Sequence, residues 1–160
     1  MRYLLSLLLA ALVGCDSDTS EPPSDRQLTA TMTSAGALSG TAEVRWTPGE
    51  ELFTATAAIS GDVADAVRPW HVHFGACSNS GAIVGSPSSY EPLVVGQDGR
   101  AETTATVTFE LDASVAYSVN VHESATALST IIACGDLAAL GGGGGGGDGG
   151  DDGGDDDYGY

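Results

Sequence analysis

Thr41-Ala42-Glu43-Val44-Arg45-Trp46 and Thr104-Ala105-Thr106-Val107-Thr108-Phe109 change character at every second residue. Side chains in an extended chain point alternately to opposite faces, so this period, carried by β-branched residues, marks strands with one buried and one wetted face. Turn signals interrupt such stretches at short intervals, at Thr47-Pro48-Gly49-Glu50, Ser60-Gly61-Asp62, Gly96-Gln97-Asp98-Gly99 and Leu111-Asp112-Ala113-Ser114. No segment carries a long apolar period of 3.6. The reading is an all-β domain over residues 26–140, a Greek-key β-barrel or sandwich of about six to eight antiparallel strands. Its alanine-rich strands predict a thin core.

The ends read differently. Residues 1–14 start with Arg2 and continue as an apolar run from Leu4 to Val13, the layout of a secretory signal and too short to span a bilayer, which takes about 20 residues. The run ends at Leu12-Val13-Gly14-Cys15, which resembles the bacterial lipobox. That resemblance implies a lipidated Cys15, an exported chain anchored to a membrane of the cell envelope, and a polar tether over residues 15–25. Residues 141–160 are twelve Gly, six Asp and two Tyr, a composition that predicts a disordered acidic tail. Five Arg, no Lys and 22 acids give a net charge of −17, which excludes nucleic acid as a partner because phosphate binding needs clustered cations. No motif identifies a protein partner.

With Cys15 consumed by lipid, Cys77 and Cys134 remain in an exported compartment, where two thiols usually pair; the competing reading is a free, reactive Cys77. The three histidines carry the chemistry. His71 and His73 flank Val72 in a strand-like stretch, so both imidazoles project from one face, and His122 ends a second strand, Ala116 to His122. If those strands are neighbours, three imidazoles converge, a set suited to copper or zinc; otherwise they are ordinary strand histidines.

Four elements occur in a telling order: His71-Val72-His73-Phe74-Gly75-Ala76-Cys77, Asp98-Gly99-Arg100-Ala101, Tyr117-Ser118-Val119-Asn120-Val121-His122-Glu123 and Ala133-Cys134-Gly135-Asp136-Leu137. Together they resemble the copper-zinc superoxide dismutase superfamily over about residues 35–137. The resemblance implies that His71, His73 and His122 bind copper and that Cys77 bridges to Cys134. The chordin-type (CHRD) domain, with a His-x-His-x-Gly strand and a Tyr-x-Asn-x-His strand, is similar too, although CHRD domains usually lack the cysteine pair.

Departures from the dismutase pattern shape the expected function. Residues 78–99 contain no histidine, so no zinc is expected, and no histidine remains for a fourth copper ligand. Ile131 stands where dismutases place the arginine that guides superoxide. From Arg26 to Asp136 the body has four Arg against twelve acids, and a net −8 repels a small anion. The expectation is an exported lipoprotein that binds copper through three histidines without an evident catalytic apparatus. Alternatives are an active copper-dependent dismutase and a metal-free CHRD-like structural or adhesion module. Trp46, Trp70 and Tyr90 are read as packing rather than as a sugar-binding face, and Glu123 as a weak candidate for orienting His122.

Overall fold

A computed structural model describes residues 24–139. The signal sequence, Cys15, the tether as far as residue 23 and the Gly/Asp tail lie outside the described residues. Among the latter, seven strands of five or more residues are β1 (Arg26–Met32), β2 (Ser39–Trp46), β3 (Phe53–Ser60), β5 (Trp70–Phe74), β7 (Arg100–Val107), β8 (Tyr117–His122) and β9 (Ile131–Asp136). Two-residue strands β4 (Val67–Arg68), β6 (Leu93–Val94) and β10 (Ala138–Ala139) complete the set. Every pairing is antiparallel.

The strands form a five-stranded sheet in the order β10-β1-β2-β3-β7, a three-stranded sheet β5-β8-β9 and a small β4-β6 ribbon. In β10-β1-β2-β3, a strand returning from the far end of the chain lies beside the first strand of a meander, which is the Greek-key arrangement. The alternation in the larger sheet is the one expected. Ala42, Val44 and Trp46 of β2 and Phe53, Ala55, Ala57 and Ile59 of β3 are buried, while the residues between them are wetted or half-buried. They pack against Trp70, Val72, Tyr117, Val119 and Val121 of the smaller sheet, and Trp70 is fully buried.

Of the two expected architectures, the sandwich is present and the closed barrel is not. At one corner the sheets join, where Thr33 and Cys134 exchange backbone hydrogen bonds of 2.9 and 3.1 Å. Gly135 permits that approach, because a Cβ there would lie 2.8 Å from the Thr31 carbonyl oxygen. At the opposite corner closure fails because β5 spends its free edge on a loop. Gly81 N–H donates to Phe74 O, Phe74 N–H to Ala82 O, and Val84 N–H to Val72 O, so the ladder groups that would have met β7 are already satisfied.

That loop determines the character of the smaller sheet. Both faces of β8 are buried along its whole length, from Tyr117 to His122. One face is the core; the other carries the histidines and is covered rather than open to water.

Candidate metal centre

In the β5–β8 ladder, His71 lies opposite Asn120 and His73 opposite Ser118. His122, two residues beyond Asn120, shares their face. The β8–β9 ladder slips from Val121↔Ala133 to His122↔Ile131, so an extra β9 residue sits beside the end of β8. Such bulges re-aim a side chain. The three imidazoles meet: ring centroids lie 5.2 Å apart for His71–His122, 5.6 Å for His73–His122 and 5.8 Å for His71–His73.

One nitrogen from each ring lies within 4.8 Å of the others, and all three residues are buried, 4–7% exposed. A metal about 2.0–2.1 Å from each nitrogen would need them about 3.5 Å apart, a spacing inside that limit. No carboxylate or thiolate joins the group among the described residues.

The polar inventory argues for an occupant. His71 Nδ1, His73 Nε2 and both ring nitrogens of His122 are buried with no hydrogen-bond partner, and Asn120 Nδ2 is in the same condition. Each such orphan costs about 1–3 kcal/mol, so a concentration on one face is unusual unless something there satisfies them. The donor chemistry fits a metal ion. His73 Nδ1 lies 2.9 Å from Gly81 O and can only donate to it, which leaves the Nε2 lone pair free. Burial, reinforced by the neighbouring His122 and His73, pushes the His71 pKa down to about 4. Burial first, then His73, lowers the pKa of His122, and the Leu128 backbone, near the ring but outside hydrogen-bond geometry, opposes this more weakly. Both rings are therefore neutral at physiological pH, as a metal ligand must be.

The segment that follows β5 supplies the walls. Gly75, at φ +85°, turns the chain back over the histidines, and a Cβ there would meet the Asn79 carbonyl at 2.6 Å. Cys77 and Cys134 are joined in a disulfide, which pins this segment to β9 and rules out the free Cys77. Tyr90 packs its ring edge-on against both His71 and Trp70, each at a centroid distance of 5.3 Å, and donates its hydroxyl to Val84 O at 2.8 Å. Trp46, Trp70 and Tyr90 are all buried, as packing residues should be.

Glu123 is exposed and serves through its backbone. Arg68 donates from Nη1 to its carbonyl at 2.6 Å while gripping Asp62 with Nε and Nη2 at 2.7 and 2.8 Å. The ion pair holds the Asp62 carboxyl below the usual carboxylate range and raises the Arg68 guanidinium.

The histidines and cysteines singled out in the sequence thus come together, whereas Cys15 lies outside the described residues. Sequence reasoning assigned no role to Ser80, read Tyr90 only as packing, and met Asn120 only as part of the Tyr-x-Asn-x-His pattern, two residues before His122. No protein-family model and no curated protein matches the chain.

Proposed function

We propose that this is an exported, lipid-anchored copper protein in which His71, His73 and His122 hold the ion, acting as a carrier or buffer rather than as an enzyme. The observation that carries the reading is the convergence of three buried imidazoles, each offering one nitrogen within 4.8 Å of the others, on a face where four ring nitrogens have no hydrogen-bond partner. An all-imidazole set suits copper and zinc alike, and copper stands highest in affinity among the first-row divalent ions. The resemblance to copper-zinc dismutases points the same way, and the lack of further histidines removes the zinc half of that pattern.

Two features favour holding over turnover. Ile131, in place of an anion-guiding arginine, pairs with His122 at the edge of the site, and it is 43% exposed. The surface clefts that Ile131 lines include none of the three histidines.

Copper titration of the oxidised full chain tests this, beside the triple variant His71→Ala, His73→Ala, His122→Ala. One equivalent bound by the wild type and lost in the variant is expected, with superoxide removal by the loaded protein no faster than by the variant. Histidine-dependent dismutation would establish the enzyme instead. Absence of histidine-dependent binding would leave a metal-free envelope module.

A further inference from the structure

Asn120 is fully buried at the middle of the histidine face, directly opposite His71 and two residues from His122. Across the other ladder it faces Cys134, whose Sγ lies 2.7 Å from Asn120 Oδ1. That contact is not a hydrogen bond, because Cys134 is in the disulfide and its sulfur has no proton to give. Ser80 Oγ reaches the same oxygen only at 3.4 Å, and Nδ2 has no partner at all.

The carboxamide is better satisfied the other way up, since an amide's oxygen and nitrogen are distinguished by their partners. Turned over, the NH2 group donates to Ser80 Oγ and rests against a weakly accepting sulfur. The oxygen then takes the partnerless position. That position is buried on the face that carries His71, which stands directly opposite Asn120 in the β5–β8 ladder.

Resting on the copper reading above, we infer that Asn120 is a fourth polar group of the metal centre, its Oδ1 serving as the oxygen donor for Cu(II). Three imidazoles suffice for the softer Cu(I), whereas Cu(II) prefers a four-donor set of nitrogen and oxygen. The residue therefore determines how well the oxidised ion is held and leaves the reduced ion almost indifferent.

Competition titrations of the disulfide-intact full chain with Cu(II) and, separately, Cu(I) test this in wild type, Asn120→Ala and Asn120→Asp. Asn120→Ala is expected to weaken Cu(II) by about tenfold or more while Cu(I) affinity stays within about threefold. Asn120→Asp, which keeps the shape and offers a carboxylate oxygen, is expected to match or exceed wild type for Cu(II). Should Asn120→Ala fail to fold, the Asp variant decides: weaker Cu(II) binding than wild type overturns the inference. Equal losses for both oxidation states, or none, in a folded Ala variant also overturn it, since a packing role would not distinguish the ions. A wild type that takes neither ion through its histidines refutes the copper reading itself, a result distinct from any of these.

Discussion

His71 and Cys134 occupy one transverse row of the three-stranded sheet, separated only by Asn120, so the disulfide and the imidazole cluster share a single covered face. The bond therefore supports the site from the side, by fixing β9 against the segment that follows β5.

Removing it should be costly. The linked residues are 57 apart, and chain-entropy reasoning for a closed loop of that size gives about 4 kcal/mol. Cys77→Ser with Cys134→Ser is expected to lose about that much in urea unfolding, and histidine-dependent copper binding should weaken with it. A variant as stable as wild type would contradict the assignment of the bridge as a main staple.

Acidity should unfold the metal-free domain earlier than its carboxylates alone would dictate. The folded pKa of His71, about 4, lies below its unfolded value near 6.5, so the unfolded chain takes up the proton first. Stability is intact above the unfolded value and falls as pH drops from about 6.5 to 4, by about 3 kcal/mol from this residue, with His122 contributing in the same direction. Urea midpoints across that range should flatten in His71→Leu. Bound copper should shift the loss to lower pH, because metal and proton compete for the same lone pairs.

The Arg68–Asp62 pair is largely buried, with side chains 17% and 8% exposed, and it holds the carbonyl that follows His122. Arg68→Ala should cost about 1–3 kcal/mol, and Arg68→Lys should recover little, since an ammonium cannot grip the carboxylate at two points and reach Glu123 as well. In a double-mutant cycle with Asp62→Asn, the combined loss should fall short of the sum.

Gly75→Ala tests the turn that closes the histidine face. Its φ of +85° and the nearby Asn79 carbonyl both oppose a side chain, so a loss of about 1–3 kcal/mol is expected in thermal or urea unfolding. An Ala variant of unchanged stability would mean that the loop relaxes freely, and that the walls of the site are looser than drawn.

Much of this was legible in the chain because period-two patterning is a local property. Thr41 to Trp46 announces a strand with one wet face, and His71 and His73 had to share a face once their stretch was extended. The pairing of Cys77 with Cys134, expected from the cysteine count on the reading of an exported chain, is present in the structure.

Pairing partners were not legible, because hydrogen bonds between strands distant in sequence leave no local mark. Only the tertiary structure decided that β8 lies beside β5, bringing His122 to the pair, and that β5 turns its other edge to residues 81–84, leaving a sandwich in place of a barrel. That same loop buries a face that alternation alone would have left to water. Burial is what lowers the pKa of His71 and His122, and what leaves Asn120, inconspicuous in the sequence, with a buried amide nitrogen that has no hydrogen-bond partner.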